Sequence, residues 1–331
     1  MQTLSDIEQT CLSALTKVGA PEAHARLQVS LLLEAELRGH ASHGLLRLPR
    51  LIERIANGAA DPVTTGLQTW RGDVLEVDGR NGLGPAVAMA ALEQVSARAR
   101  DRGVAVAAIR DCNHLGMLAW YAGQIAARGQ VILGFTTSEA LVHPWGGRTG
   151  MLGTNPIAVG VPAEPIPFVM DMATSRVSMG KIHDHANRGQ AIPPDWALDA
   201  DGRPTTDAAA AKAGSLAPFG GAKGYALGLA IELLVSSLAA SAIGRDVTGT
   251  LDSTLPCNKG DVFIVIEPHP AGLGIVSGFL EALRQAPAAD PRRPVRIPGE
   301  RALSRRAAQA GADIQLDPDV WARIKALAAP G

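Results

Sequence analysis

Along the first seventy residues, apolar side chains recur with helical spacing. Leu4, Ile7, Cys11, Leu12 and Leu15 fall on one face of a helix that a Ser5-x-x-Glu8 capping pattern opens and Gly19 closes. Pro21 opens a second helix at a position where its missing N–H costs nothing, and Gly39 ends it. Pro49 disfavours helix at Leu48 and starts a third over Arg50 to Asn57. From about residue 72 the texture changes. Short β-branched runs at 74–77, 104–109, 131–135, 157–161, 168–170 and 262–266 predict strands, and the blocks 86–99 and 118–127 predict helices among them. The stretch 190–207, with its prolines and an Asp201-Gly202 turn, reads as an exposed excursion. A Gly-rich loop over 216–224 then leads into the long apolar segment 225–242.

After Pro270 the helical period returns over 273–283, followed by a Pro/Arg-rich linker. A last helix opens with Asp317-Pro318 and carries Trp321, Ile324 and Leu327 on one face. Both ends are helical and the middle is α/β. The expected organisation is therefore a helical domain of residues 1–71 together with 268–331, and an inserted α/β domain over 72–267. No internal repeat interrupts this reading.

Composition narrows the function. Of 331 residues, 47% are apolar and 19% charged, as in a globular chain, and 31 basic against 32 acidic residues give no electrostatic case for nucleic acid or an anionic membrane. Cys11, Cys112 and Cys257 are odd in number and lack metal-ligand spacing, which fits a reducing, cytosolic setting. The opening residues lack the apolar core of a secretory signal. The segment 225–242, flanked by Lys223 and Arg245, is apolar enough to raise the question of a membrane span; Glu232 and several serines within it favour a buried helix.

The chemistry concentrates in Arg38-Gly39-His40-Ala41-Ser42-His43-Gly44-Leu45-Leu46-Arg47-Leu48-Pro49. His43 precedes Arg47 by four residues, and an imidazole beside a guanidinium can protonate a carbonyl oxygen while holding a neighbouring carboxylate. The two share a face only if residues 43–47 form their own helical turn. A capping or core histidine and a surface-paired arginine are the plain alternatives. His40 reads as structural. His114 follows a strand, between Asn113 and Gly116, where α/β enzymes place reacting groups; an ordinary loop histidine is its alternative. Lys223, among glycines at the start of a helix, suits a phosphate contact or a plain loop. His183 and His185 lie two apart with no third ligand indicated, so no metal site is expected. Asn81-Gly82-Leu83-Gly84-Pro85-Ala86-Val87 imitates a dinucleotide-binding fingerprint. A polar turn at Gly79-Arg80-Asn81 separates it from its strand, and Pro85 lacks the N–H that a phosphate would seek, so the pattern is discounted.

Several of these stretches, taken in order, resemble the malate/L-lactate dehydrogenase-like family of NAD(P)-dependent 2-oxo acid reductases. They are the 38–49 stretch, Asn113-His114-Leu115-Gly116, Thr136-Thr137-Ser138 through Pro144-Trp145-Gly146-Gly147, Gly153-Thr154-Asn155-Pro156 and Asp171-Met172-Ala173-Thr174-Ser175. Gly180-Lys181, Trp196-Ala197-Leu198-Asp199, Pro204-Thr205-Thr206-Asp207, Lys223-Gly224 and Pro298-Gly299-Glu300-Arg301 continue the series over nearly the whole chain. The resemblance implies a helical domain built from both termini, an α/β domain with a mixed sheet and a non-Rossmann cofactor site, and assembly as a homodimer. It implies interconversion of a small 2-oxo acid and its 2-hydroxy acid, of malate, lactate or sulfolactate type, with NAD or NADP. Reduction of a cyclic Δ1-imine-2-carboxylate is the alternative within the same family. His43 and His114 are the implied acid/base residues, and Ser42, Arg47, Thr154 and Asn155 the substrate contacts. Ser138, Asp171, Met172, Ala173, Thr174, Lys223, Gly224, Gly299, Glu300 and Arg301 are the implied cofactor residues.

Overall fold

The computed structural model describes residues 3–309 and 314–329. In chain order the elements are α1 (Leu4–Lys17), α2 (Glu22–Leu37), α3 (Leu48–Ala56), β1 (Leu67–Arg71), β2 (Val74–Asp78), α4 (Gly84–Arg102), β3 (Val104–Arg110), α5 (Leu118–Ala127) and β4 (Val131–Thr136). They continue as β5 (Ile157–Val161), β6 (Phe168–Met172), α6 (Met179–Asn187), β7 (Ala197–Leu198), α7 (Ala208–Ala211), β8 (Ser215–Leu216) and α8 (Ala222–Ala239). The last are β9 (Gly260–Ile266), α9 (Gly272–Arg284), α10 (Glu300–Ala308) and α11 (Pro318–Ala328).

Seven strands form one mixed sheet in the order β1-β2-β3-β9-β4-β5-β6. Only β2 and β3 pair in parallel, through the crossover helix α4; every other neighbour is antiparallel. A doubly wound dinucleotide fold needs a run of parallel strands, so this sheet cannot supply one. β9 enters the middle from far along the chain, and Val262, Phe263 and Val265 are fully buried there. α4 and α5 cover one face through Leu92, Val95, Tyr121 and Ile125, and α8 packs Ile231 and Val235 on Val262 and Phe135 of the other.

The two ends of the chain share a core. Ile7, Cys11 and Leu15 of α1 share a core with Val29 and Leu32 of α2, Ile52 of α3, and Trp321 and Ile324 of α11. α9 departs from the expected grouping: Leu280 packs with Ala163, Phe168 and Ile297 at the β6 edge of the sheet, not with the terminal helices.

Local signals erred where a neighbour outweighed them. The cap of α1 is Thr3 with Asp6, not Ser5 with Glu8, because the helix already includes Leu4. Leu48 is helical (φ −61°, ψ −46°) despite Pro49, which sits in the first turn where its N–H is not needed. β1 was expected to be helical. It is a half-covered edge strand whose alternation carries little apolar signal, with Trp70 covered by the Arg98 guanidinium 3.9 Å from its ring centre. The 190–207 excursion is anchored, with Ile192 and Ala197 buried against Ile182 and Leu216. α8 is the one helix among the described residues long and apolar enough to cross a membrane. It buries only one stripe against the sheet and exposes Leu233 and Leu234, so it is less covered than its composition predicts.

The closure of the two ends predicts that Ile324→Ala, in a fully buried position, lowers unfolding free energy by about 2–5 kcal/mol. Urea denaturation measures this, and a loss below about 1 kcal/mol would show that the C-terminal helix is not part of the core.

Candidate active site

The segment between α2 and α3 folds as two 3₁₀ turns, Ala41–His43 and Leu45–Arg47, broken at Gly44. Glu36 of α2 fastens it: its Oε1 accepts the Leu45 N–H at 2.8 Å, and a Cβ on residue 44 would lie 2.3 Å from that oxygen. Arg47 folds back, its Nε donating to the Ser42 carbonyl at 2.8 Å, while the Ser42 hydroxyl lies 3.0 Å from His43 Nδ1. Ser42, His43 and Arg47 therefore converge without the single helical turn that their spacing suggested.

The second histidine arrives on the loop after β3. Asn113 donates to the carbonyls of Asn81 (2.6 Å) and Gly82 (3.2 Å) and accepts from Arg54 Nε at 2.8 Å. The rest of the buried Arg54 guanidinium donates to the carbonyls of Asp252, Leu255 and Ala59. Tyr121 closes the loop from below, its hydroxyl donating to Leu115 O at 2.7 Å. The glycines that imitated a nucleotide fingerprint have a packing role here. A Cβ at Gly84 would lie 2.4 Å from the His114 carbonyl, so its absence lets α4 back directly onto this loop. The rings of His43 and His114 then stand 5.5 Å apart, centre to centre.

Both imidazoles resist protonation. Burial and then the Arg47 charge push His43 down to about 4, and burial, Arg47 and His43 hold His114 well below the usual histidine range. Gly116 N–H donates to His114 Nδ1 at 2.9 Å, which assigns the remaining ring proton to Nε2. His43 has no such constraint, because a hydroxyl both donates and accepts. Behind the loop, Lys259 and Asp261 form a fully buried ion pair, and Cys112 Sγ donates to Asp261 at 3.1 Å. Burial opposes the Lys259 charge, but Asp261 outweighs it and holds the ammonium protonated.

A second cluster ties the ends of β4, β5 and β6 together. Thr154 N–H donates to Ser138 Oγ at 3.1 Å, and Thr174 donates to Thr154 O through both its N–H and its hydroxyl. Asn155, expected to touch substrate, is fully buried, with its amide on Gly228 O and Glu232. Its side-chain oxygen is buried with no hydrogen-bond partner among the described residues. Asp171 takes the Ala119 N–H at the start of α5 at 2.8 Å, and Met172 is exposed beside it. Ala173, partly buried, links them to the buried Thr174. A Cβ at Gly224 would lie 1.9 Å from Phe219 O, and one at Gly299 2.4 Å from Val169 O, so both glycines serve close backbone packing. Glu300 is engaged structurally, pairing with Arg284 Nε at 2.7 Å and accepting the Ile297 N–H. Lys223 and Arg301 are exposed.

A dinucleotide suits this cluster. The first turn of α8 has no side-chain cap, carries Lys223, and follows Gly220, beside which there is open space. Such free N–H groups with a neighbouring cation are the donors a pyrophosphate needs. Away from it, His185 packs edge-on against Trp196, and no group of three metal-ligating side chains occurs among the described residues. The anchors Glu36, Arg54, Glu232, Lys259 and Asp261 were not singled out from the sequence as site residues. Their signal was a charge set within apolar stretches, clearest for Asp261 ahead of Val262-Phe263-Ile264-Val265.

Residues 3–325 match the family model described as malate/L-lactate dehydrogenase. The chain is 34% identical to a (2R)-3-sulfolactate dehydrogenase (NADP(+)) of Chromohalobacter salexigens over 99% of this chain and 98% of the relative. It is 33% identical to a Δ1-pyrroline-2-carboxylate reductase of Ancylobacter novellus over the same shares. The crystal structure of a dehydrogenase from Sinorhizobium meliloti superimposes with a TM-score of 0.94 at 52% identity, over 98% of this chain and 97% of that one.

Because both imidazoles are more basic when unfolded, the unfolded chain takes up more protons at mildly acidic pH. The stability owed to their neutral state is complete above about pH 6.5 and is lost as pH falls towards about 4. The melting temperature should fall across that window, and less steeply in a His43→Gln/His114→Gln variant. An identical slope in the variant would show that these histidines do not titrate as described.

Proposed function

This chain belongs to the malate/L-lactate dehydrogenase family, and on that premise we propose that it is a nicotinamide-dependent oxidoreductase interconverting a small 2-oxo acid and its 2-hydroxy acid. The observation that carries this reading is that Arg47 and His114 line one cleft with the His43 ring 5.5 Å from that of His114, while the Arg47 terminal nitrogens are in no ion pair among the described residues.

The Arg47 guanidinium holds the substrate carboxylate and so fixes the adjacent carbonyl between the two imidazoles. His114, with its proton on Nε2, donates a hydrogen bond to the carbonyl oxygen. His43 moves the proton. With the Ser42 hydroxyl accepting from Nδ1–H, its Nε2 lone pair is free to take the hydroxyl proton of the hydroxy acid, and protonated His43 returns it in reduction. A carboxylate on Arg47 offsets the charge that depresses His43 and so makes it a better proton carrier in the complex. A nicotinamide bound here would supply the hydride in reduction and accept it in oxidation. We assign it to Ser138, Met172, Ala173, Thr174, Lys223 and Arg301, with Thr154, Asp171, Gly224, Gly299 and Glu300 shaping the loops. NAD or NADP fits this donor set, and the site is of non-Rossmann type.

The pyrroline-carboxylate reductase among the relatives favours a second reading, reduction of a cyclic imine carboxylate. There Arg47 has the same task, while a protonated imine nitrogen needs no acid from His43. We further propose a functional division into a helical unit, residues 1–66 with the C-terminal helix, and an α/β unit from β1 through α9. A homodimer is consistent with the exposed Ile275 and Phe279 of α9, and three unpaired buried cysteines suit a reducing cytosol.

The test follows reduced-nicotinamide absorbance with NADH and NADPH against 2-oxo acids and Δ1-pyrroline-2-carboxylate. The reading expects turnover of a 2-oxo acid, lost by about 10²–10⁴-fold in kcat in His43→Ala. Retained imine reduction in that variant would favour the second reading, and no turnover of either class would refute both. In the oxidation direction, kcat/KM should be level near neutrality and fall as pH drops towards about 4, where free His43 becomes protonated. A profile that instead rises on acidification would exclude neutral His43 as the base.

A further inference from the structure

The cleft beside His114 is lined by three arginines, Arg47, Arg50 and Arg54. Their spacing of three and four residues puts all three on one side of the segment that runs into α3. They are not equivalent. Arg54 is buried, with its donors engaged by Asn113 and by the carbonyls of Ala59, Asp252 and Leu255. Arg47 is committed to the substrate carboxylate in the reading above. Arg50 is exposed, is in no ion pair among the described residues, and stands close enough to Arg47 to destabilise its charge. The acid that offsets Arg47 is Glu139, and its Oε1 is occupied by the Thr250 N–H, the Thr250 hydroxyl and the Leu251 N–H. Thr250 also lines this cleft.

Two guanidiniums thus line one small cleft, and among the described residues neither is in an ion pair. On a helical surface, side chains three residues apart have Cβ atoms roughly 5–6 Å from each other. That matches the span of a short molecule with an anionic group at each end. We propose that Arg50 receives a second anionic group of the substrate, a carboxylate or sulfonate on the carbon beyond the carbonyl, so that this enzyme selects dianionic 2-oxo acids over monocarboxylates and cyclic imines. Arg50 is then a specificity-determining residue. It contacts the end of the substrate remote from the reacting carbon and leaves the roles of His43, His114 and Arg47 as described. The inference rests on the proposed 2-oxo acid activity.

The experiment compares the full-length wild type with Arg50→Gln and Arg50→Lys on pyruvate, oxaloacetate and sulfopyruvate. The ratio of kcat/KM for each dianion to that for pyruvate should fall on the order of 10- to 100-fold in Arg50→Gln, through KM. Arg50→Lys should restore part of it, because a charge without the planar fork still attracts an anion. Loss confined to oxaloacetate identifies a carboxylate, and loss confined to sulfopyruvate a sulfonate. A second readout needs no turnover: oxaloacetate or sulfopyruvate should raise the melting temperature of the wild type more than pyruvate does, and this difference should vanish in Arg50→Gln. A wild type that prefers pyruvate, or a variant with unchanged substrate ratios and unchanged melting shifts, overturns the inference while the 2-oxo acid reading stands. Failure of the wild type on every 2-oxo acid overturns both.

Discussion

The architecture of the site depends on one buried guanidinium. Arg54 makes four hydrogen bonds that join α3, the His114 loop through Asn113, and the 252–255 segment just ahead of β9. Each acceptor left unpaired in such a place costs about 1–3 kcal/mol, so the three pieces are held together or not at all. α3 begins immediately after Arg47, and the loop it clamps presents His114. Arg54 therefore sets the separation between Arg47 and His114, the proposed carboxylate and carbonyl ends of the cleft.

Electrostatics and packing cooperate around that clamp. The cleft is cationic, with arginines on one side and the buried Lys259–Asp261 pair behind it. Neutral histidines are what such surroundings favour, and in the proposed reaction they serve both directions, one as a fixed hydrogen-bond donor and one as a proton carrier. Arrival of an anion relaxes the field at the moment when His43 must carry charge. The proposed dinucleotide end is organised differently, by backbone packing at Gly224 and Gly299 and by the Ser138–Thr154–Thr174 ladder.

Much of this was legible because local patterns and tertiary demands agreed. The α5 helix, most strands and the Asp317-Pro318 helix start fall where apolar period and cap chemistry put them. Ser42, His43, His114 and Arg47 stood out because their chemistry is local to short stretches. What escaped was non-local. β1 has too little apolar surface to signal a strand, and its identity comes from pairing with β2. Arg54 looks like any surface arginine on a helix until the 252–255 carbonyls are placed around it. Asn155 had the chemistry to bind substrate, but Glu232, seventy-seven residues on, claims its amide. The glycines at 82–84 had the spacing of a phosphate loop and the surroundings of a packing contact.

In the proposed reaction, Arg47 and the two histidines form the carboxylate-and-carbonyl end of a hydride-transfer site. A crystal structure with a reduced nicotinamide cofactor and oxamate, an unreactive 2-oxo acid mimic, tests it most directly. The oxamate carboxylate should lie on the Arg47 guanidinium and its carbonyl oxygen within hydrogen-bond distance of His114 Nε2, with His43 on the same oxygen. A carboxylate bound away from Arg47, or a carbonyl that neither imidazole reaches, would contradict it.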